Sequence, residues 1–206
     1  MPYPQPPWTL KGQAILGLHL IDCDRVRPLI PPELNIVSVL PGKTIGGVYL
    51  SDYRSGSVLQ YSELIVIAGF THHAGIFGGW ISHIYVDNAD SVAGGRDIWG
   101  LPKELAEFSW DGDRSVTVCQ GNQRLCRLNY NPQGFGWRQS LAASAFSTMN
   151  TNLLTFKSEL DSHLSLIGSQ LEVFAESPFS SLGLGQPFLT VRCDDMTLRV
   201  AGPQIV

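Results

Sequence analysis

Two charged side chains stand beside apolar or conformationally restricted positions, where they could do chemistry as well as face solvent. Lys103 directly follows Pro102, and Glu63 opens the apolar run Leu64–Ile67. An isolated lysine usually lies at a protein surface, and a carboxylate at the start of a strand often does the same. A buried amine or carboxylate binds protons abnormally, which is typical of functional sites. The two residues alone leave both interpretations open.

The histidines and glycines do not form a recognisable cofactor site. His72 and His73 are adjacent, so a strand would turn them to opposite faces, and no H-x-H or H-x-x-x-H spacing occurs. The glycines within Gly75–Gly79 and Gly183–Gly185 do not lie between a strand and a helix, as phosphate-binding loops require. The sequence therefore predicts no metal and no cofactor.

Residues 82–106, SHIYVDNADSVAGGRDIWGLPKELA, carry the most informative pattern. A strand leads into Asp87-Asn88, a short glycine-interrupted helix ends at Arg96, and Pro102-Lys103 opens the next strand. This stretch resembles the signature of the acetoacetate decarboxylase family, which is Tyr-x-Asp-Asn, then Gly-Arg-acid, then Pro-Lys. The residues that carry the resemblance are Tyr85, Asp87, Asn88, Gly95, Arg96, Asp97, Pro102 and Lys103, with Tyr61-x-Glu63, Thr155-Phe156-Lys157 and Gly202-Pro203 as further matches over most of the chain.

The resemblance implies an all-β fold with some short helices, in which an antiparallel closed β-barrel or cone carries flanking sheet extensions, and it implies a homo-oligomer. It also implies that Lys103 forms a Schiff base with a substrate ketone. A protonated imine accepts the electrons that a β-keto acid leaves behind when it loses carbon dioxide. To attack, the lysine must be a free amine, so the site has to disfavour its charge by burial or by a nearby cation.

The same resemblance suggests the other members of the site. Glu63 is the expected proton-handling partner of Lys103. Arg96 either faces substrate or pairs with a neighbouring aspartate, and Tyr85 is either a core aromatic or a pocket-edge residue. Phe70 belongs to an expected apolar wall. The remaining candidates for that wall are Trp99, Leu101 and Leu105.

Three positions depart from the family pattern. Glu104 replaces a second lysine, although adjacent residues of a strand point to opposite faces and Glu104 need not touch the Lys103 ammonium. Leu20 stands where the resemblance implies a substrate-binding arginine, and Val48 where it implies a second glutamate. The expected function is therefore a carbon–carbon lyase that decarboxylates a small β-keto acid or related keto compound. The alternatives are a Schiff-base aldolase or dehydratase, and a non-catalytic barrel that binds a small apolar ligand.

Strands must position most of these residues. Apolar runs separated by Gly, Pro, Asn and Asp predict an antiparallel protein. Asp111-Gly112 and Gly121-Asn122 predict the turns of a three-stranded meander. Residues 153–171 fit both helical and alternating periodicity, and the resemblance favours strands there. The predicted strands are Gln13–Ile21, Ile45–Ser51, Glu63–Thr71 and Trp80–Val86, and the predicted helices are Asp24–Ile30 and Ala89–Ile98, the second capped by Asn88.

Composition limits the remaining possibilities. The 206 residues are 44% hydrophobic and 16% charged, with a net charge of −4, which predicts one packed domain over residues 1–206. No Lys/Arg run exists to bind nucleic acid, and no run of eighteen apolar residues predicts a membrane span. Residues 1–9 are expected to form an extended proline-rich arm anchored by Trp8. We expect a cytoplasmic protein with four free thiols and a small keto compound as its partner.

Overall fold

The computed structural model describes residues 3–132 and 134–206. Residues 1 and 2, at the start of the predicted arm, lie outside the described residues. Within the described ranges the chain forms fourteen strands and two α-helices, α1 (Cys23–Val26) and α2 (Ala89–Trp99). The strands are β1 (Trp8–Asp22), β2 (Asn35–Ile36), β3 (Lys43–Tyr53), β4 (Tyr61–His73), β5 (Ile76–Val86), β6 (Lys103–Leu105), β7 (Glu107–Asp111), β8 (Ser115–Gln120), β9 (Gln123–Tyr130), β10 (Phe135–Met149), β11 (Asn152–Leu166), β12 (Ser169–Val173), β13 (Leu189–Val200) and β14 (Gln204–Ile205).

The larger sheet closes on itself. Its strand order is β2-β4-β3-β1-β13-β11-β10-β5-β6, and an additional pairing of β4 with β5 completes a ring of hydrogen-bonded strands. Neighbouring strands of the ring are antiparallel except β10 and β5, which pair in parallel through Ala145 with Gly79 and Phe146 with Trp80. The all-β expectation is confirmed.

The smaller sheet has the order β12-β9-β8-β7 and contains the predicted meander. Gly112 and Gly121 occupy its two turns with φ of 52° and 57°, a left-handed conformation that glycine adopts without steric cost. The segment with ambiguous periodicity forms β11 and β12, so the preference for strands is confirmed.

Alternate residues of the ring strands build two apolar clusters. The outer cluster lies between the ring and the smaller sheet and includes Leu64, Val66, Tyr85, Leu125 and Phe179. The interior cluster lies on the other face and includes Trp8, Tyr53, Tyr61, Ile81, Ile84, Trp99, Leu101 and Phe156. Since successive side chains of a strand point to opposite faces, β4 contributes Leu64 and Val66 to one cluster and Glu63 and Ile65 to the other side.

Helix α2 covers the interior cluster and has well-defined ends. The Asn88 side chain accepts hydrogen bonds from the backbone nitrogens of Asp90 and Ser91, which satisfies two free donors of the first turn. Gly100 ends the helix with φ of 63°. The predicted helix Ala89–Ile98 and its cap are confirmed, and the predicted helix Asp24–Ile30 becomes α1 followed by a 3₁₀ turn at Arg27–Leu29.

The structure extends or adds several strands. Each of the four predicted strands lies within a longer one, and β1 begins at Trp8, so the last two residues of the expected arm belong to the sheet. Trp8 itself is buried, with 2% of its surface exposed. The strands β10 and β13 had no counterpart among the predicted elements. Among the described residues, no helix is long and apolar enough to cross a membrane.

Candidate active site

The short strand β6 turns Lys103 into the interior of the ring. It pairs in parallel with β5, where Lys103 lies opposite Ile84 and Glu104 opposite Tyr85. Lys103 is 4% exposed, whereas Glu104 is exposed and accepts a hydrogen bond from Gln120 Nε2 at 2.8 Å. Glu104 therefore points away from the amine, as strand alternation predicts.

The Lys103 ammonium has two buried polar partners. Nζ donates to Glu63 Oε1 at 2.7 Å and to Ser91 Oγ at 3.0 Å. The ring centroids of Tyr61 and Trp8 lie 5.0 and 5.9 Å from Nζ, within the range of cation–π attraction. The amine is thus held between a carboxylate, a hydroxyl and two aromatic rings, away from bulk water.

Glu63 is held in turn by a chain of phenols. Its Oε2 accepts from the Tyr53 hydroxyl at 3.1 Å, and that hydroxyl lies 3.2 Å from the hydroxyl of Tyr49. Burial raises the pKa of Tyr53 and of Tyr61 well above the ordinary value of a phenol. Tyr53 therefore stays protonated at physiological pH and remains a hydrogen-bond donor to Glu63.

Helix α2 provides both a contact and a space for Lys103. Ser91 lies in its first turn, and Gly95 follows one turn later on the same face. A Cβ atom at Gly95 would lie 2.5 Å from Cδ of Lys103 and 2.7 Å from its Cε. Glycine at this position therefore leaves room for the lysine stem.

The other matches to the family signature position the two ends of α2. Asp87 Oδ1 accepts from the backbone nitrogen of Ser62 at 2.7 Å, next to Glu63 in β4. Arg96 donates from Nε to the backbone oxygen of Lys103 at 2.8 Å. These contacts fix α2, β4 and β6 relative to one another, and the two functional side chains lie where these three elements meet.

Two neighbouring cavities are lined by inward-facing residues of the ring, and the second also has exposed residues at its rim, such as Ala143 and Lys157. The first, which we call the chamber, has a volume of about 120 Å³ and contains Lys103 and Glu63. The second, which we call the vestibule, has a volume of about 590 Å³ and is mostly apolar. The chamber is lined by Trp8, Leu10, Tyr53, Tyr61, Glu63, Ile65, Ile81, Ile84, Trp99, Leu101, Lys103, Ala145, Phe156, Ser158, Leu198 and Val200. The vestibule shares Ile65, Ile81, Ala145, Ser158 and Leu198 with it.

The structure brings together some of the predicted site residues and separates others. Lys103 and Glu63 form the centre of the chamber, and Trp99 and Leu101 line it as expected. Phe70 lies in the wall of the vestibule, not beside the amine. Leu105 is 52% exposed and does not contribute to the wall.

Three predicted substrate-binding residues lie elsewhere. Tyr85 is in the outer cluster, 6.4 Å from the ring of Phe179, because its neighbour Ile84 takes the inward face of β5. Arg96 is exposed and donates to a backbone oxygen of β6, in place of the neighbouring aspartate that was expected. Leu20 shares a face of β1 with Leu16 and Leu18 of the vestibule, but it is 38% exposed and lies among the lining residues of neither cavity.

Sequence reasoning did not place Ser91, Gly95 or Tyr53 in the site, although Gly95 was named as part of the family signature. The signal for the first two was their spacing of four residues on a capped helix, which places both on one face. Tyr53 had no local signal, because its contact with Glu63 depends on the pairing of β3 with β4. Across residues 3–132 and 134–206, no three His, Cys, Asp or Glu side chains are grouped so that they could hold a metal ion.

Fold and site together define a class of protein, in which a ring of strands encloses a buried lysine–glutamate pair. The family model described as "Acetoacetate decarboxylase (ADC)" matches residues 1–165, and the chain belongs to this family. The solved acetoacetate decarboxylase from Legionella pneumophila superposes with a TM-score of 0.81 at 16% identity, covering 100% of this chain and 89% of that one. The enduracididine biosynthesis enzyme MppR, solved in complex with pyruvate, gives a TM-score of 0.68 at 16% identity, covering 98% and 91%.

Curated relatives include proteins of two names. The protein NEOXANTHIN-DEFICIENT 1 from Solanum lycopersicum is 35% identical over 107 residues, which are 52% of this chain and 36% of the relative. The protein of the same name from Arabidopsis thaliana is 29% identical over 161 residues, 78% of this chain and 53% of the relative. An acetoacetate decarboxylase from Paraburkholderia phytofirmans is 29% identical over 113 residues, 50% and 40%. The chain thus spans about half or less of the length of these relatives.

Proposed function

We propose that this protein is a Schiff-base-forming lyase in which Lys103 condenses with the carbonyl group of a small keto compound. The observation that carries the proposal is the hydrogen bond of 2.7 Å between Lys103 Nζ and Glu63 Oε1, with both side chains about 95% buried beside a cavity. Membership of the acetoacetate decarboxylase family supports the same assignment.

Glu63 would supply the proton transfers of imine formation. Transfer of one Nζ proton to the carboxylate leaves a neutral amine, whose lone pair attacks the carbonyl carbon. The carbonyl oxygen then leaves as water, taking one proton from Glu63 and one from the nitrogen. The products are a protonated imine, water and the Glu63 carboxylate, ready for the next proton transfer. The Tyr53 hydroxyl, 3.1 Å from Oε2, stabilises the carboxylate between these steps.

The first candidate for the following step is decarboxylation of a β-keto acid. The bond to the carboxylate carbon breaks, carbon dioxide leaves, and the electron pair moves to the imine to give a neutral enamine. A proton then adds to the enamine carbon, and water hydrolyses the imine to release a ketone and Lys103. The buried, mostly apolar chamber favours this step, because a carboxylate placed there loses its hydration while the product carbon dioxide is uncharged.

A second candidate is an aldolase or dehydratase reaction through the same imine. Among the described residues that line the chamber, Lys103 is the one cation, and it is already paired with Glu63. The carboxylate of a β-keto acid would therefore enter the chamber without an unpaired cation to bind it, and it would lie near the carboxylate of Glu63. This observation favours the removal of a carbon-bound proton by Glu63, followed by bond formation at that carbon.

Trapping with borohydride tests the proposed imine. We expect incubation with acetoacetate, other β-keto acids or pyruvate, followed by borohydride, to leave a mass adduct on Lys103. Lys103→Ala should abolish the adduct, and Lys157→Ala, which removes a lysine from the edge of the vestibule, should not. An adduct on any other lysine, or none with any carbonyl compound, would contradict the proposal and favour a barrel that only binds an apolar ligand.

Glu63→Gln separates the role of the carboxylate from that of the amine. We expect trapping on Lys103 to slow by about 10²- to 10⁴-fold, the usual contribution of a positioned acid–base group. The free energy of unfolding of this variant should be measured as well, because removal of one partner of a buried ion pair lowers stability by about 3–5 kcal/mol. Release of carbon dioxide from β-keto acids, compared with carbon–carbon bond formation between pyruvate and an aldehyde, distinguishes the two candidate reactions.

A further inference from the structure

The vestibule differs from the chamber in size and in chemistry. At about 590 Å³ it falls within the range of roughly 300–1,000 Å³ typical of sites for drug-sized ligands, whereas the chamber at about 120 Å³ holds only a few atoms. A compound as small as acetoacetate would fill the chamber and leave the vestibule unused. The vestibule therefore has room for the remainder of a larger ligand.

The two cavities adjoin each other inside the sheet. Five residues line both of them: Ile65, Ile81, Ala145, Ser158 and Leu198. Four of these side chains are apolar, and they come from β4, β5, β10 and β13, while Ser158 lies on β11. A ligand whose carbonyl group reaches Lys103 would therefore continue through an apolar junction into the vestibule.

Among the described residues, the vestibule offers no unpaired cation that could bind a carboxylate at the far end of a substrate. Among the described residues that line it, Lys157 is the cation, and its ammonium lies 3.3 Å from Glu159 with its side chain 60% exposed. The rest of the wall is dominated by aliphatic and aromatic side chains such as Leu16, Ile67 and Phe70. Such a wall binds a hydrocarbon chain and disfavours a buried charge.

We propose that the substrate is a ketone or aldehyde with an extended apolar chain, which lies in the vestibule while its carbonyl carbon forms the imine with Lys103. This inference rests on the proposed imine chemistry and adds the substrate class. The covalent step is unchanged: the amine and the carbonyl compound give the imine and one water.

A series of methyl ketones tests the chain preference. Acetone, 2-pentanone, 2-heptanone, 2-nonanone and 2-undecanone are each trapped with borohydride, and the concentration that gives half-maximal adduct on Lys103 is measured. We expect that concentration to fall by up to about fourfold for each added CH₂ until the vestibule is filled. A ketone of the same length that ends in a carboxylate should bind at least tenfold more weakly than 2-undecanone.

A matched pair of variants locates the chain. Ala143 lies in the vestibule wall on the same face of β10 as Ala145, and Gln139 lies on that face but lines neither cavity. Both residues are exposed, so neither substitution is expected to disrupt folding. Ala143→Glu should weaken trapping of 2-undecanone at least tenfold and leave that of acetone unchanged, whereas Gln139→Glu should change neither.

The outcomes separate this inference from the proposed function. One outcome is that acetone and acetoacetate are trapped on Lys103 but longer ketones need no lower concentration. That result would overturn the apolar-chain inference and leave the proposed imine chemistry intact. Unchanged trapping of 2-undecanone by the variant Ala143→Glu would likewise overturn the apolar-chain inference. Failure to trap any carbonyl compound would overturn both proposals.

Discussion

The outer cluster and the interior cluster are built by alternate residues of the same strands, but their side chains are packed differently. In β4, Leu64 and Val66 are fully buried in the outer cluster, while Ile65 between them is half-buried at the junction of the chamber and the vestibule. The outer cluster consists of apolar side chains together with the buried phenols of Tyr85 and Tyr130. The interior side carries the Lys103–Glu63 pair.

The difference shows how a closed ring can separate stability from chemistry. One face of each strand packs against the smaller sheet and stabilises the fold. The other face lines open space, where an ion pair can remain accessible to a small molecule. Substitutions on the two faces of one strand should therefore affect different properties.

Adjacent residues of β4 offer the most direct test of this separation. We expect Leu64→Ala to lower the free energy of unfolding by about 2–5 kcal/mol, because the residue is fully buried among packed neighbours. Ile65→Ala should lower the free energy of unfolding by less, since part of the Ile65 side chain already faces the cavities. Its main effect should be on the trapping of ketones by Lys103. Denaturant unfolding measures the first effect, and equal costs at the two positions would argue against the comparison.

Gly95→Ala should alter the interior without weakening the outer cluster. The added methyl group would meet the Lys103 stem at 2.5 Å, so the amine must move away from Glu63. We expect at least a tenfold loss in the rate of adduct formation. The free energy of unfolding should change by only about 1 kcal/mol. The contact of the methyl group with Lys103 lowers stability, and the preference of alanine over glycine in a helix, about 1 kcal/mol, offsets part of that loss. A variant that traps ketones at the normal rate would show that Lys103 does not need this space.

Below neutral pH, the buried side chain of His19 should make the stability of the fold depend on pH. His19 is fully buried on β1, with Nδ1 3.0 Å from the Leu184 backbone oxygen, and burial lowers its pKa below the ordinary value. The unfolded chain therefore binds this proton more readily than the folded one. Stability should be at its full value above about pH 6.5, and should decrease as the pH falls towards the lowered pKa of the folded state.

The variant His19→Gln should have a shallower dependence of unfolding free energy on pH between about 7 and 5. His83, whose pKa burial also lowers, should account for part of the remaining slope, and His83→Gln added to the first variant measures that part. A wild-type protein that becomes more stable on acidification over this range would contradict the prediction.

Glu104→Lys should have the smallest effect. The substitution introduces the second lysine that the family resemblance implies, but residue 104 is exposed and faces away from the chamber. We expect a change in unfolding free energy within about 0.5 kcal/mol and an unchanged rate of trapping on Lys103. A large gain in that rate would show that this position influences the amine from the opposite face of β6.

The sequence was most informative where local signals agree. The cap residue Asn88, the glycine turns of the meander and the apolar run of β4 each depend on neighbouring residues, and all three are found in the structure. The strand β10 escaped prediction because its residues, GWRQSLAASA from Gly136 onwards, contain few β-branched side chains and much of the strand is exposed.

The site was only partly predictable for a different reason. The motif around Lys103 indicated the amine, but the face on which Tyr85 lies depends on how β5 pairs with β4 and β6, and these pairings form only in the assembled sheet. Leu20 fell outside the cavities for a similar reason, since its position along β1 places it beyond the vestibule. Long-range register is set by the assembled sheet and has no local signal.

The parallel contact between β5 and β10 leaves the ring with a weak seam. Only the pairs Ala145–Gly79 and Phe146–Trp80 join the two strands in the described structure, and a Cβ atom at Gly78 would lie 2.7 Å from the Ser144 backbone oxygen. Both strands border the vestibule. The amide hydrogens of these two strands should exchange with solvent sooner than those of β1 and β3. When a large ligand enters the vestibule, β5 and β10 should be the first strands to separate.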